Sequence, residues 1–502
     1  MTAVTPSRPA FAPAEPYRMR IGEAWREARA TFAAVDPSTG ETWARIPQGT
    51  AADVDDAVAA ARAAFPAWRR TTPATRQELL WRIADRVEAD PDRWARLLAT
   101  ENGRPIREAH VADVPTCAGI FRFFSGVVRD LRGDQIPVEA PERLVYTTRE
   151  PLGVIAALIP WNSPIITLAN KLAPALAAGN TVVVKPSELA SASVLEFARL
   201  VEDLLPPGVL NVVTGGGPEA GAALVAHPDV AKISFTGGPE TARRIMAAAG
   251  TVLTPSIMEL GGKGAMIVCA DADVPRAVSD ALTGIYLANG EACIAASRLL
   301  VHDAVHDEFL AEFERRARTI VVGDALDPRS QFGPMVSRGQ RDRVEACVAA
   351  AIAEGATLRV GGTRPALGAP FDDGFFLEPT LLEEPAGTTS ASRSEIFGPV
   401  TVLERVGDDE EAIARANGTP YGLAAGVWTT DLARAHRIAQ RLDVGVAWVN
   451  TWFDLPIGAP MGGVKESGFG RETCAETLLE YSAPRVVNID LGPTRPHLWG
   501  DA

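Results

Sequence analysis

The chain has 502 residues, enough for two large or three ordinary domains, and its 47% hydrophobic and 22% charged residues exclude a largely disordered or fibrous protein. The formal net charge of −14 argues against binding to nucleic acid or to an anionic membrane surface. The five cysteines are odd in number and widely spaced, so we expect neither a disulfide framework nor a zinc site.

The amino-terminal segment, residues 1–20, is expected to be a loose arm, since it contains several prolines and lacks the apolar core of a signal peptide. The sequence has no uninterrupted apolar run of about 18 residues, so we expect no membrane span and a soluble, cytoplasmic protein. Helical periodicity then predicts helices over 52–68 and 73–100.

From residue 154 onward, apolar β-rich runs alternate with alanine-rich helical segments. The predicted strands are 154–159, 181–186, 209–215 and 232–238, and the predicted helices are 166–178, 189–205, 218–226 and 239–249. This alternation is typical of βαβ units, in which helices cover both faces of a parallel sheet. Cofactor sites in such sheets lie at the carboxyl ends of the strands.

A second α/β series follows the glycine pair 261–262, where we place a domain boundary. Its predicted strands are 265–269, 297–301, 400–406, 423–429 and 445–450, and its first predicted helices are 274–288 and 304–319. Segments 129–151 and 481–491 are predicted as strands outside both sheets. They are either edge strands of the main domains or, as we prefer, a separate oligomerisation sheet, because exposed strand edges tend to be paired.

Three residues could carry chemistry. Cys293 lies in NGEACIAAS (289–297), a predicted turn whose backbone N–H groups would lower the thiol pKa and favour nucleophilic attack. Glu259 precedes two glycines in MELGGK and could be a general base, while Asn162 in PWNSP could donate to an oxyanion. Singly, each has a structural alternative: a small buried thiol, a surface carboxylate and a turn residue.

Residues that could bind a dinucleotide follow several of the predicted strands. Lys185 and Glu188 end VVVKPSE, where the lysine can reach a ribose or phosphate and the carboxylate can bind ribose hydroxyls. This carboxylate would repel a 2′-phosphate and so favours NAD over NADP, although the same residues could simply begin a helix. The glycine-rich turns 214–221 and 235–242 could bind a pyrophosphate, but neither fits the GxGxxG fingerprint.

Nine motifs occur in order along the chain and jointly carry a resemblance that none carries alone. They are PWNSP (160–164), VVVKPSE (182–188), PPGVLNVVTG (206–215), SFTGGPET (234–241), MELGGK (258–263), NGEACIAASR (289–298), EIFGPV (395–400), NGTPYGLAAGVWT (417–429) and PMGGVKESGFGRE (460–472). On these motifs the chain resembles the aldehyde dehydrogenase superfamily, in its NAD-dependent, non-acylating form, over essentially its whole length. The resemblance implies an α/β fold with three parts: a Rossmann-like cofactor domain (1–128 and 152–261), an α/β catalytic domain (262–480) and oligomerisation arms (129–151 and 481–502).

The resemblance also implies a mechanism. Cys293 would attack the aldehyde carbonyl, and the Asn162 side chain and the Cys293 backbone N–H would hold the oxyanion of the thiohemiacetal. Hydride transfer to the nicotinamide would leave a thioester, which water activated by Glu259 would hydrolyse to the acid. Lys171 and Glu472 match the positions of a proton relay behind this base.

The residues implied to hold NAD fall into three groups. They are Ile159, Pro160, Trp161, Asn162, Glu395 and Phe397 at the nicotinamide ribose, Lys185, Glu188, Gly217 and Gly221 around the adenosine, and Gly237 and Gly238 at the pyrophosphate. The sequence departs from the family pattern at several places near these groups: Pro239 and Ala242 in the phosphate turn, AAS at 295–297, and the two residues described next. Gly238 replaces a common serine and would remove one phosphate hydrogen bond. Glu291 replaces a common glutamine, and we expect its side chain to point to solvent.

The substrate tunnel implied by the resemblance has one small, polar face and one apolar face. The polar face is Ser163, Thr167 and Asn170, at i, i+4 and i+7 spacing on one helix, and the apolar walls are Ala292, Ile294, Trp452, Phe453 and Met461. This arrangement predicts room for a bulky or ring-bearing aldehyde. The alternative, that these side chains only pack against their neighbours, stays open.

Two other functions stay open at this stage. A CoA-acylating dehydrogenase is disfavoured by Glu259, because acylating relatives generally lack a carboxylate at that position. A catalytically silent NAD-binding oligomer is disfavoured by the complete set of site residues. The partners implied are a small-molecule aldehyde and further copies of the chain, as a homodimer or homotetramer, with no metal, nucleic acid or membrane.

Overall fold

The computed structural model describes residues 11–384, 387–492 and Trp499. Residues 1–10 of the predicted amino-terminal arm, and 493–502 of the predicted carboxyl-terminal arm apart from Trp499, lie outside the described residues.

The strands in the described part of the chain are β1 (Met19–Ile21), β2 (Ala24–Arg26), β3 (Thr31–Val35), β4 (Thr42–Pro47), β5 (Gln135–Ile136), β6 (Arg143–Pro151), β7 (Val154–Ile159), β8 (Thr181–Pro186), β9 (Leu210–Val212), β10 (Val230–Gly237), β11 (Ser256–Leu260), β12 (Ala265–Val268), β13 (Arg298–His302), β14 (Thr357–Val360), β15 (Thr380–Glu383), β16 (Val400–Val406), β17 (Tyr421–Gly422), β18 (Ala424–Trp428), β19 (Val446–Val449), β20 (Val464–Lys465), β21 (Gly468–Phe469) and β22 (Ser482–Asp490).

The α-helices in the same residues are α1 (Ala51–Trp68), α2 (Pro73–Glu88), α3 (Pro91–Asn102), α4 (Ile106–Glu108), α5 (Val114–Val127), α6 (Pro164–Ala178), α7 (Ala192–Leu200), α8 (Ala222–Val225), α9 (Pro239–Thr251), α10 (Val274–Tyr286), α11 (Asp303–Ala317), α12 (Arg338–Ala353), α13 (Ser390–Arg393), α14 (Asp409–Asn417), α15 (Leu432–Ala439) and α16 (Thr477–Glu480). Short 3₁₀ or π turns cover Ala109–Asp113, Val128–Asp130, Gly217–Gly221 and Leu287–Gly290.

The first sheet has eight strands in the order β2-β1-β9-β8-β7-β10-β11-β21. The five strands from β9 to β11 are parallel, and antiparallel strands flank them on both sides. Ile155 and Ala157 of β7 pack with α5, α6 and α7, whereas Ala156 and Leu158 pack with α1, α8 and α9 on the other face. This confirms the predicted parallel sheet with helices on both faces.

The second sheet has seven strands in the order β14-β15-β16-β13-β12-β18-β19, all parallel except β14. The glycine pair 261–262 lies between β11 in the first sheet and β12 in the second, where we placed the domain boundary. The part of the chain after residue 262 is not confined to the second sheet, however, because β21 pairs with β11 at the edge of the first sheet.

A third sheet, β22-β6-β5, stands apart from the two main sheets. Its long pair is antiparallel and runs from Ser482 opposite Pro151 to Asp490 opposite Arg143. The segments predicted to form strands outside both main sheets therefore do so, and the alternative of edge strands in those sheets is wrong.

Three helix predictions differ in detail from the structure, and one of them, 189–205, is helical only over α7. The predicted helix 73–100 is two helices, because Asp90 accepts a hydrogen bond from the Arg93 N–H and caps α3, and Pro91 begins that helix. The predicted helix 218–226 begins as a π turn at Gly217–Gly221 and is α-helical only over α8.

Among the described residues, one helical run, Ile106–Asp130, is long and apolar enough to cross a membrane by length and composition. Half of the most apolar stretch of this run is buried inside the protein, and α5 packs against α2 and α6. Such burial is typical of a core helix.

Candidate active site

The candidate nucleophile follows an unusual turn after α10. Ala288 and Asn289 both have a φ of 57°, which side-chain-bearing residues rarely adopt. Asn289 holds this turn in place, because its Nδ2 donates to the Gly103 and Pro334 carbonyls at 2.8 Å each and its Oδ1 accepts from the Gly333 N–H. The turn leaves Cys293 partly exposed.

The Cys293 thiol has a raised rather than a lowered pKa. Burial and the charges of Glu395 and Glu259 raise it to about 12, while the backbone N–H groups of Cys293 and Ile294 act in the opposite direction. The predicted lowering is therefore wrong: the N–H groups are present, but burial and two carboxylates outweigh them. The thiol consequently needs a base, or a change of surroundings on binding, to react.

Asn162 lies beside the nucleophile turn, and its Nδ2 donates to the Glu291 carbonyl at 2.9 Å. Two residues that the sequence analysis missed hold its backbone. Arg104 donates to the Asn162 carbonyl at 2.7 Å, and Asn102 donates to the Trp161 carbonyl at 2.9 Å. Both are buried, and nothing in a lone ENGRP segment distinguishes a buried arginine from a surface one.

Glu291 does not point to solvent. Only 3% of the residue is exposed, and its Oε1 accepts a hydrogen bond from the Val336 N–H at 3.2 Å. The expectation of a solvent-facing side chain is wrong because Val336, distant in sequence, closes over this carboxyl group. Burial raises the Glu291 pKa well above the ordinary value, against the opposing effects of the Val336 N–H and the charges of Arg104 and Arg343.

Glu259 lies near the end of β11, between Thr236 of β10 and Gly468 of β21. Its Oε1 is buried and has no hydrogen-bond partner among the described residues. Gly462 approaches this oxygen so closely that a Cβ there would lie 2.8 Å from it. Burial, and then the Glu472 charge, raise the pKa of Glu259 well above its ordinary value, while Lys171 and Arg471 lower it.

The two predicted relay residues form a buried ion pair behind Glu259. The fully buried Lys171 Nζ lies 2.8 Å from Glu472 Oε1 and also donates to the Ser234 hydroxyl at 3.1 Å. Ser234 was not predicted; it donates in turn to Glu472 at 3.4 Å. The structure thus brings Lys171 and Glu472 together as the resemblance implied and adds a hydroxyl to the pair.

The adenosine end of the predicted cofactor site lies at the carboxyl end of β8. Lys185 is buried and its Nζ lies 3.7 Å from the exposed Glu188 carboxylate. A Cβ at Gly221 would lie 3.9 Å from the lysine side chain, so that glycine keeps space open beside it. Gly217 and Gly238 have no neighbour within that range, and no side chain caps α9 at Gly238.

The nicotinamide end is built around Glu395. The Gly262 N–H donates to Glu395 Oε1 at 2.9 Å, and any side chain at Gly261 would collide with this carboxylate. Burial raises the Glu395 pKa to about 7, although Gly262 and the charge of Lys263 lower it. Ile159 and Pro160 lead from β7 into this region.

Two aromatic rings flank the same end of the site. Trp161 and Phe397 meet edge to face with ring centroids 5.3 Å apart. Gly237, at the end of β10, lies under the ring of Phe235, which leaves no space for a side chain there. Most residues predicted around the cofactor therefore lie at or just after the carboxyl ends of β7, β8, β9 and β10 in the first sheet, whereas Glu395 and Phe397 come from the segment before β16 of the second sheet.

The polar face predicted for the substrate tunnel is only partly available. Ser163 accepts a hydrogen bond from Arg104 at 2.9 Å, and Thr167 is buried. Asn170 is partly exposed, and its Oδ1 is buried without a partner among the described residues. The Asn170 Oδ1 is therefore a buried acceptor on this face that has no partner among the described residues.

The predicted apolar walls divide into core and lining residues. Trp452 is 6% exposed, packs against Trp448 and Trp428, and donates through its indole N–H to the Ile294 carbonyl at 2.9 Å. Trp452 therefore belongs to the hydrophobic core that packs under the segment carrying Cys293. The four others are partly buried and pack against the same core: Ala292, Ile294, Phe453 and Met461.

The described residues contain no group of three or more His, Cys, Asp or Glu side chains placed to hold a metal ion. The aldehyde dehydrogenase family model matches residues 25–487 of the chain. A relative from Acinetobacter baylyi, (Z)-2-((N-methylformamido)methylene)-5-hydroxybutyrolactone dehydrogenase, is 40% identical over 475 residues, which cover 94% of this chain and 96% of the relative.

Solved structures match over nearly the same extent. PnpE from Pseudomonas sp. WBC-3 has a TM-score of 0.94 and 41% identity, covering 97% of this chain and 100% of that chain. PnpE has also been solved in complex with nicotinamide adenine dinucleotide. Betaine aldehyde dehydrogenase from Staphylococcus aureus in complex with NAD+ has a TM-score of 0.94 and 34% identity, covering 97% of each chain.

With NAD-bound structures so similar over the whole length, the protein is an NAD-dependent oxidoreductase. The chain belongs to the aldehyde dehydrogenase family, and its substrates are aldehydes.

The residues at the carboxyl edge of the first sheet fit NAD. The uncapped N-terminus of α9 at Gly238 offers free backbone N–H groups to a pyrophosphate. Lys185 and Glu188 would hold the adenine ribose, and the Glu395 carboxylate, which accepts from the Gly262 N–H, would accept from the hydroxyls of the other ribose.

Proposed function

We propose that the enzyme oxidises its aldehyde to the carboxylic acid through a thiohemiacetal and a thioester on Cys293, and that water activated by Glu259 releases the acid. One observation carries this proposal: the charge of a buried carboxylate, Glu259, acts on the thiol of Cys293, and the Oε1 of that carboxylate has no partner among the described residues. A carboxylate held in this way is suited to accept a proton from water.

In the first step the Cys293 sulfur attacks the aldehyde carbon while the thiol proton passes to a base. The carbonyl oxygen becomes an oxyanion, which the Asn162 side chain and the Cys293 backbone N–H would stabilise, by about 3 kcal/mol for each donor. Bound NAD supplies the two-electron acceptor for the hydride that the tetrahedral carbon loses. The sulfur–carbon bond is kept, so a thioester remains on Cys293.

In the second step Glu259 removes a proton from water, and the hydroxide adds to the thioester carbon. The sulfur leaves as a thiolate and is protonated again, which completes the release of the acid. The raised pKa of Glu259 makes its carboxylate a stronger base than an ordinary glutamate. Lys171, Glu472 and Ser234 would pass the proton onward from the base through the short contacts that join them.

Residues at the two ends of the cofactor site would set its position and identity. Glu395 and the rings of Trp161 and Phe397 orient the nicotinamide end. Glu188 disfavours a 2′-phosphate by like-charge repulsion, so we infer a preference for NAD over NADP.

We infer a bulky or ring-bearing aldehyde with a polar substituent as the substrate. The partly buried Ala292, Ile294, Phe453 and Met461 offer apolar contacts, and the Asn170 Oδ1 is an acceptor without a partner among the described residues. The relative from Acinetobacter baylyi, whose name specifies a hydroxybutyrolactone, supports a ring-bearing substrate.

We further propose that the third sheet joins copies of the chain into a homodimer or homotetramer. On its outer strand β22, the side chains of Val486 and Ile489 are exposed, as is Leu491 just beyond it. Such an apolar strand edge, left unpaired, would promote aggregation, so a partner subunit is expected to cover it.

The proposal is tested by NADH formation with short aliphatic, long aliphatic, aromatic and hydroxylated cyclic aldehydes, with NADP and CoA as controls and with the product identified. We expect NADH and free acid without CoA. Acyl-CoA formation that requires CoA would favour the acylating alternative, and NAD binding without turnover on any aldehyde would favour the silent one.

The substrate inference has its own test in Asn170→Ala. For a pair of aldehydes of equal size, with and without a hydroxyl group, the variant should lose kcat/KM mainly on the hydroxylated member, by about 10-fold for one hydrogen bond. Equal losses on both aldehydes would contradict a role in substrate recognition.

A further inference from the structure

Glu291 is a buried carboxyl group two residues from the nucleophile. It occupies the end of the turn that follows Asn289, and its backbone N–H donates to the Ala288 carbonyl at 2.9 Å. Buried carboxyl groups are costly unless they are hydrogen-bonded or neutral, so this position calls for a physical explanation. Neither the thiol chemistry nor cofactor binding proposed above uses it.

Glu291 makes two further hydrogen bonds, one through its side chain to Val336 and one through its backbone carbonyl to Asn162. The side-chain Oε1 accepts from the Val336 N–H at 3.2 Å, just before α12 begins. The backbone carbonyl of the same residue accepts from Asn162 Nδ2 at 2.9 Å. Glu291 thus connects the segment before α12 to the Asn162 amide group, which would bind the oxyanion.

The Asn162 carboxamide has two N–H donors. One of them is engaged by the Glu291 carbonyl, which fixes the plane of the amide. The backbone of Asn162 is held separately, because Arg104 donates to its carbonyl at 2.7 Å. With the backbone and one N–H fixed, the direction of the second N–H is determined.

We propose that Glu291 is a positioning residue: anchored on Val336, it holds the carbonyl that orients the Asn162 carboxamide, so that the second N–H of that amide points to the substrate oxygen. The proposal rests on the thiol mechanism proposed above. A preorganised donor stabilises an oxyanion without having to reorient during the reaction, which is where such a residue would act.

The side chain would do this as a neutral acid. Burial raises its pKa well above the ordinary value even though Arg104 and Arg343 oppose this. A negative charge two residues from the thiol would repel the oxyanion, whereas the neutral form accepts from Val336 without that cost. A glutamine has the same shape and acceptor, so Glu291→Gln should preserve the link and Glu291→Ala should break it.

The experiment measures the pre-steady-state burst of NADH, which reports acylation, together with NAD affinity. Glu291→Ala should slow the burst by about 10- to 100-fold, a part of the loss expected when an oxyanion donor is removed, with NAD affinity unchanged. Glu291→Gln should restore the burst to within about threefold of the wild type. Glu308→Ala, which removes an exposed carboxylate on α11, is the matched control.

A double-mutant cycle with Asn162→Ala separates positioning from packing. If Glu291 acts through Asn162, adding Glu291→Ala to the Asn162→Ala variant should slow the burst no further than about twofold. A full multiplicative loss in the double variant would overturn the inference, as would weakened NAD binding in Glu291→Ala. A normal burst in Asn162→Ala alone would instead overturn the proposed oxyanion role, and the inference with it.

Discussion

The two halves of the active site are held in different ways. On the nucleophile side, Cys293 and Asn162 are fixed by hydrogen bonds to backbone carbonyls and N–H groups from distant segments. On the base side, Glu259 feels the charges of a buried ion pair, Lys171 and Glu472, which both make hydrogen bonds with the Ser234 hydroxyl. The first half is built from hydrogen bonds to backbone groups, one of them donated by the buried Arg104, and the second from a buried ion pair beside the base.

The difference indicates what each half must achieve. Adding a thiol to a carbonyl depends on aligning the reacting atoms closely, which hydrogen bonds to fixed backbone groups provide. Activating water at neutral pH depends on a shifted pKa, which burial and neighbouring charges provide. Substitutions should therefore affect alignment on one side and titration or stability on the other.

The largest effect is expected from Cys293→Ala, which removes the nucleophile itself. Turnover should fall by at least about 10⁴-fold, while NAD binding, measured by calorimetry, stays as in the wild type. Cys347→Ala replaces the other partly exposed thiol and serves as the matched control. Substantial turnover in Cys293→Ala would mean that another group attacks the aldehyde.

On the base side, Glu259→Gln should slow the steady state by about 10²- to 10⁴-fold but keep the first burst of NADH. The wild-type steady-state rate should fall as the pH drops through the raised Glu259 pKa, because the protonated acid cannot accept a proton. Stopped-flow traces across pH test both points, with Glu308→Gln as the control. If the variant gave no burst of NADH, Glu259 would be required for the attack of Cys293 on the aldehyde and not only for hydrolysis of the thioester.

Lys171→Met should show that the base side depends on paired charge. Removing one partner leaves Glu472 buried without its counter-ion, and we expect a loss of about 3–5 kcal/mol in the free energy of unfolding. The double variant Lys171→Met/Glu472→Met should recover most of this stability. Denaturant unfolding measures both values, and a double variant no more stable than the single one would argue against an isolated pair.

The smallest effect is expected from Glu188→Ser at the exposed end of the cofactor site. Loss of this carboxylate should raise kcat/KM with NADP by roughly two- to fivefold, because an exposed charge contributes no more than about 1 kcal/mol. The exposed Asp372→Ser is the matched control. An unchanged ratio of NAD to NADP would mean that Glu188 does not select the cofactor.

Strands with continuous apolar runs could be predicted from the sequence almost residue by residue. The bounds of β7, β8 and β16 are those predicted, because turn-forming or charged residues limit each apolar run. The two-residue strand β21 could not be predicted, since its pairing with β11 depends on a tertiary contact and not on a local pattern.

The candidate site shows the same limit. The resemblance implied Lys171 and Glu472, which the structure brings together, but no local pattern indicated Ser234 as their shared neighbour. For Glu291 and Trp452 the local sequence indicated the wrong surroundings. Their neighbours, Val336 and Trp428, come from other elements, and burial follows from those contacts.

The ion pair between Lys171 and Glu472 joins positions 301 residues apart in the chain. A ribosome adding about 5–20 residues per second needs roughly 15–60 s to make that interval. The thiol of Cys293 is therefore synthesised well before the surroundings of Glu259 are complete. A nascent or truncated chain that ends before Glu472 would lack the counter-ion of Lys171, which is buried in the folded protein. The active site can therefore form only after the segment that contains Glu472 has been synthesised.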